Sequence, residues 1–113
     1  MLSTKTRKRR SASYIGAGVI DGSFAPSNSV APAITGTAQV GQTLTSTTGT
    51  WDETPVLTRQ WKAAGVAIVG ATAATYVPLV GDVGKVITVT VTGTNERGST
   101  SVTSAATAAV IAA

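Results

Sequence analysis

Trp51, Arg59-Gln60-Trp61-Lys62, Ile68-Val69-Gly70-Ala71-Thr72, Tyr76-Val77, Asp82-Val83-Gly84 and Val86-Ile87-Thr88-Val89-Thr90-Val91-Thr92-Gly93-Thr94-Asn95 punctuate the middle of this 113-residue chain. The last run decides the fold class. Ile87, Val89 and Val91 fall on one side of an extended chain, and Thr88, Thr90, Thr92 and Thr94 on the other. Strict alternation of β-branched residues is the period of a half-buried strand with one face on a core and one on solvent. The density of Thr, Val and Gly speaks against helix.

Outward from that run, short alternating segments are bounded by Gly and Pro, the pattern of an all-β sandwich. Val30 to Thr35 reads as a first strand, with Pro32 implying an edge position. Gly41 leads into Gln42 to Thr48, with Leu44 inward and Thr43 and Thr45 outward, and Gly49-Thr50-Trp51 closes it. Asp52 to Pro55 reads as a loop. Leu57 to Ala63 is the next strand, with Leu57, Arg59, Trp61 and Ala63 inward. Arg59 then belongs at the sheet margin, its stem lying along apolar surface. Gly65 turns the chain into Val66 to Val69, and Pro78 stops a short strand at Thr75 to Val77. Glu96-Arg97-Gly98 makes a hairpin turn, from which Ser99 to about Ile111 runs back as the last strand. No internal repeat is present, so the chain holds one sandwich.

Composition bounds the chemistry. The hydrophobic fraction of 42% is mostly Ala and Val, and aromatics make up only 4%. The core is therefore thin, and the few large residues, Trp51, Trp61, Tyr76, Leu44 and Ile87, carry an outsized share of burial, with Val89 and Val91 on the inward side of their strand. There is no Cys and no His, which removes disulfides, thiol catalysis, the commonest general base and most structural zinc sites. The five carboxylates, Asp21, Asp52, Glu53, Asp82 and Glu96, form no paired or metal-spaced cluster. No nucleophile, base or metal constellation is legible, so the sequence predicts no enzyme, no cofactor and no metal. Charged residues are only 12% of the chain, a composition that suits a protein packed against neighbours.

The net charge of +4 belongs to one segment. Lys5, Arg7, Lys8, Arg9 and Arg10 stand in the first ten residues, while the rest carries four basic against five acidic residues. Residues 1–28 lack a sustained period of 2 or 3.6 and read as a Gly/Ser-rich arm. Residues 29–113 are then the sandwich. Ser11 to Phe24 is a poor secretory leader, and no run is apolar enough to span a bilayer. Tyr14, Ile15, Val19, Ile20 and Phe24 read either as linker or as apolar pegs, or as one strand added to a neighbour's sheet. The basic run fits phosphate, solvent or an acidic protein surface, and the absence of interleaved aromatics argues against base stacking.

From about Pro32 to Val110 the sequence resembles the cysteine-free immunoglobulin-like domains of bacterial surface proteins and tailed-phage virion proteins. The matching text is Gly41-Gln42-Thr43-Leu44, Gly49-Thr50-Trp51, Gln60-Trp61, Ile68-Val69-Gly70-Ala71-Thr72, Tyr76, Asp82-Val83-Gly84-Lys85-Val86-Ile87, Val91-Thr92-Gly93-Thr94-Asn95 and Gly98-Ser99. The resemblance implies a single immunoglobulin-like β-sandwich of about seven strands in a Greek key, without a disulfide. It puts Trp61 between the sheets, and Leu44 and Val89 where antibody domains place their disulfide. Ile87 stands where such domains carry the tyrosine of the tyrosine corner, so that corner's hydrogen bond must be supplied otherwise or be absent.

What the resemblance implies functionally is binding and architecture rather than catalysis. A lone module with a basic arm fits a phage capsid decoration protein. The arm would anchor it to other virion proteins, the major capsid protein above all, or to copies of itself. The expected location is the virion, on the capsid surface or the tail. One alternative is a tail-associated or secreted adhesion module binding host-surface glycan, with Trp51 as a stacking contact. Another is a nucleic-acid-associated protein acting through the basic arm. The Thr-rich outward faces read as strand surface or as a lateral protein contact.

Overall fold

The computed structural model of the chain describes residues 24–113. Nine strands follow in order: β1 (Ser27–Val30), β2 (Ile34–Thr35), β3 (Leu44–Ser46), β4 (Thr50–Asp52), β5 (Val56–Ala63), β6 (Val66–Ala67), β7 (Thr75–Tyr76), β8 (Ile87–Asn95) and β9 (Gly98–Thr103), with one 3-10 turn at Val80–Asp82. The described protein is all-β. Its antiparallel sheets run β2-β3-β7, β6-β5-β8-β9 and the two-stranded ribbon β1-β4.

β8 is the longest strand because its alternation is unbroken, and β5 pairs with it from Val56 opposite Thr94 to Ala63 opposite Ile87. Leu44 of β3, Trp61 and Ala63 of β5, Ile87 and Val89 of β8 and Val110 form one buried cluster, against which Ile34 and Tyr76 pack. The core therefore lies between the three-stranded and four-stranded sheets, as in a β-sandwich. Leu44, Trp61, Ile87, Val89 and Val91 are fully buried, and Tyr76 is half-buried. The Trp61 indole N–H donates to the Ala73 carbonyl at 2.8 Å, and its ring stacks on Tyr76 with centroids 5.8 Å apart.

The Gln60-Trp61 and Ile68 to Thr72 motifs belong together physically. The Gln60 side-chain amide donates to the Ile68 carbonyl at 2.8 Å, and Trp61 and Ile68 exchange backbone bonds with this segment, Trp61 N–H to Ala71 and Ile68 N–H to Trp61. Arg59 reaches past the sheet margin. Its Nε–H donates to the Ser46 hydroxyl at 2.8 Å, joining β5 to β3 of the facing sheet.

Several expectations differ from the structure. Nine strands form among the described residues, where the sequence suggested about seven. Pro32 has no N–H to give, so the first strand divides around it: β1 pairs with β4 and β2 with β3. Thr50 and Trp51, taken as the close of the second strand, and Asp52, read as loop, form a separate strand, β4, on β1. The last strand stops at Thr103 instead of running to Ile111. Beyond it Ser104 and Thr107 hydroxyls accept the N–H groups of Val89 and Ile87 at 3.1 Å each, displacing a regular ladder. Val110 and Ile111 then make isolated parallel bridges to Val83 and Gln39. β1 also takes in Ser27 and Asn28, which the sequence assigns to the arm, because Asp52 and Trp51 supply their partners.

Candidate functional site

The strands run between two ends of the domain, and the chemistry-bearing side chains collect there. At the first, here the hairpin end, β8 finishes at Asn95. Its side-chain amide donates to the Phe24 carbonyl at 2.8 Å and to the Glu53 carbonyl at 3.2 Å, while its Oδ1 accepts the Arg97 N–H at 2.7 Å. One residue thus ties the chain ahead of β1, the β4–β5 loop and the β8–β9 turn. Thr100 adds a bond from its hydroxyl to the Pro26 carbonyl at 2.6 Å. Glu53 and Thr54 adopt positive φ, which an L residue tolerates only where its surroundings hold it.

Trp51 belongs to the same end. Its indole N–H donates to the Thr48 carbonyl at 2.7 Å, and its six-membered ring lies over the Cα of Gly93 beside Pro55. The ring is half-buried, so its N–H and one face are committed to the domain. Gly49, just before β4, holds φ at +79°, and a β-carbon there would collide with the Val30 carbonyl. That explains the Gly49-Thr50-Trp51 motif: glycine lets β4 close on β1, and the closure places the indole.

At the opposite end, here the tail end, β8 begins and the tail returns. The Tyr76 hydroxyl donates to the Asp82 carboxylate, which also accepts the Leu79 N–H at 3.0 Å. Burial, then the hydrogen bond to Asp82, then its negative charge push the Tyr76 phenol up to about 12. A tyrosine on β7 therefore fastens the turn before β8, where the residue at Ile87 has no hydroxyl to do so. Around this knot stand Val77, Leu79, Val80, Val83, Val86 and Ile111, all exposed.

Between the ends, the outer face of β8 and β9 carries paired hydroxyls: Thr90 with Thr103 at 2.8 Å, Thr92 with Ser101 at 2.8 Å and Thr94 with Ser99 at 2.9 Å. Each hydroxyl has a partner across the strands, so this face is satisfied strand surface. Among the described residues no group of His, Cys, Asp and Glu could hold a metal, and no helix is long and apolar enough to cross a membrane.

Of the partner-binding residues expected on the arm, Lys5, Arg7, Lys8, Arg9, Arg10, Tyr14, Ile15, Val19 and Ile20 lie outside the described residues. Phe24 is exposed at the hairpin end, and Trp51 stands near it on β4. Sequence reasoning passed over the latch role of Asn95, the bond from Arg59 to Ser46 and the apolar tail end. Only the last left a signal: Val77-Pro78-Leu79-Val80 is apolar without alternation, in a segment too broken by Pro78 and Gly81 to be a strand. No family model matches the chain, and neither a curated protein nor a solved structure matches it.

Proposed function

We propose that this chain is a non-enzymatic structural virion protein, a phage capsid decoration protein whose basic N-terminal arm binds other virion proteins and whose β-sandwich is displayed. The sandwich is read as immunoglobulin-like. In support, β2-β3-β7 faces β6-β5-β8-β9 across the Trp61 core, and the parallel bridge from Gln39 to Ile111 joins the leading and trailing segments.

One observation carries the anchoring. Asn95 and Thr100 clamp the carbonyls of Phe24 and Pro26, so everything before Phe24 joins the domain at the hairpin end. The tail end lies the length of β8 away, about 27 Å at the usual rise per strand residue. An arm held by a shell at one end leaves the other end outermost. Ordering the arm on a preformed surface would set register through Lys5 to Arg10 and add apolar area through Tyr14, Ile15, Val19 and Ile20.

The test is rebinding to phage particles assembled without this protein. The full chain should decorate them at saturating occupancy, and a chain of residues 24–113 should remain folded by circular dichroism yet fail to bind. Full occupancy by the shortened chain would remove the anchoring role. Saturable binding of host polysaccharide, lost in Trp51→Ala with the fold intact, would replace the capsid reading by an adhesion one.

A further inference from the structure

The two ends of the domain differ in charge as well as in chain path. Among the described residues the hairpin end carries Asp52, Glu53 and Glu96 against Arg97. The tail end carries Lys85, with Lys62 beside it opposite Thr88, and its one carboxylate, Asp82, is turned inward onto Tyr76 and Leu79. The described part carries four basic residues, Arg59, Lys62, Lys85 and Arg97, against four acidic, Asp52, Glu53, Asp82 and Glu96, so it is neutral overall but negative at the hairpin end and positive at the tail end.

The tail end also exposes aliphatic side chains. Val80 is 78% exposed, Leu79 64%, Ile111 56% and Val83 43%. Backbone bonds bring their segments together: Gly41 N–H bonds the Pro78 carbonyl at 3.1 Å, Val40 N–H the Ile111 carbonyl at 3.0 Å, and Gly84 N–H the Val110 carbonyl at 2.8 Å. Exposed aliphatic side chains gathered at one end beside a charge mark an interaction surface. The hairpin end offers its own aliphatic residue, Val56, 71% exposed beside the acidic loop.

We propose that the tail end of one copy seats on the hairpin end of a second copy, Leu79, Val80 and Ile111 meeting Val56, with Lys85 facing Asp52, Glu53 and Glu96. Two tail ends meeting about a two-fold axis would set Lys85 against Lys85, whereas end-to-end contact sets opposite charges together. Such a contact uses two different surfaces and does not close, so copies join in short open runs. It does not rest on the virion reading, because it is a property of the protein alone in solution.

The chain has no cysteine, which makes single reporters possible. Full-length Val80→Cys and full-length Glu96→Cys, mixed and treated with a bismaleimide, should give the mixed dimer several-fold above either like pair. Adding Lys85→Glu to the first protein should cut that yield at least several-fold. Glu53→Lys in the second should restore it. Sedimentation of the unmodified chain should show weight-average mass rising with concentration, and Val80→Glu should abolish the rise while the circular dichroism stays unchanged. A statistical mixture of the three cross-linked pairs, a dominant pair of Val80→Cys copies, or a monomer at roughly 1 mM, the weak end of specific association, would each overturn the proposal.

Discussion

The six-membered ring of Trp51 occupies the space a side chain at residue 93 would need: a β-carbon on Gly93 would stand 3.0 Å from two of its carbons. Gly93 is thus glycine for close approach, its φ lying outside the left-handed region. Gly93→Ala would gain from a stiffer unfolded chain, but the clash outweighs that gain. The expected loss is about 1–3 kcal/mol, typical of overpacking. Urea denaturation followed by tryptophan fluorescence would measure it, and a variant as stable as the parent would show that the indole moves aside freely.

Arg59 and Ser46 join the two facing sheets by a charge-assisted bond. Ser46→Ala leaves the guanidinium without that acceptor in a half-buried position and should cost about 1–2 kcal/mol. A double-mutant cycle with Arg59→Met should return a coupling of about 1 kcal/mol. Additive effects would mean that the bond contributes nothing beyond packing.

The Tyr76–Asp82 pair gives a dependence on alkaline pH. Because the phenol is raised to about 12 in the folded protein, the folded state favours its protonated form relative to an unfolded tyrosine near 10. The stabilisation is complete below the unfolded value and disappears as pH rises towards 12. Unfolding measured from pH 9 to 12 should therefore show stability falling across that window, with the fall reduced in Tyr76→Phe. Ultraviolet titration near 295 nm should lose its late-titrating phenol in the same variant. A late-titrating phenol that persists in Tyr76→Phe would belong to Tyr14 and would overturn the assignment.

Asn95 is a latch with three bonds, and Asn95→Ala removes them together. A stability loss of about 1–3 kcal/mol is expected from their combined net contribution. Hydrogen exchange should accelerate at Arg97, whose N–H loses its acceptor, and at β1, while the centre of β8 keeps its protection. Uniform acceleration across all strands would show that Asn95 acts on the whole fold rather than on one end.

How far the chain could be read depended on whether the controlling interaction was local. Alternation from Ile87 to Thr94 placed β8 and its buried face, and Gln60-Trp61 placed the central indole. Both rest on period and side-chain size, which sequence displays. The division around Pro32 was half visible: proline marked an edge, but the partner of β1 is β4, some twenty residues on. The tail was misread because Ser104 and Thr107 look like strand residues, and only the structure shows their hydroxyls, rather than the tail's carbonyls, accepting the N–H groups of β8. The two chemically distinct ends were invisible for another reason. Asp52, Glu53 and Glu96 share an end with Phe24 only once the topology is known, as do Lys85 and Ile111.

Both ends of the sandwich are closed by contacts between distant parts of the chain. Thr100 holds Pro26 across 74 residues, Asn95 holds Phe24 across 71, and Gln39 holds Ala112 across 73. Chain entropy makes such closures late events in folding. On a ribosome, β5 could meet β8 while synthesis continues, but the core stays open until Val110 arrives and Ile111 bridges to Gln39. Residues 1–23 are made before the domain they precede can form. A growing chain would therefore carry its basic segment before the fold that follows it is finished.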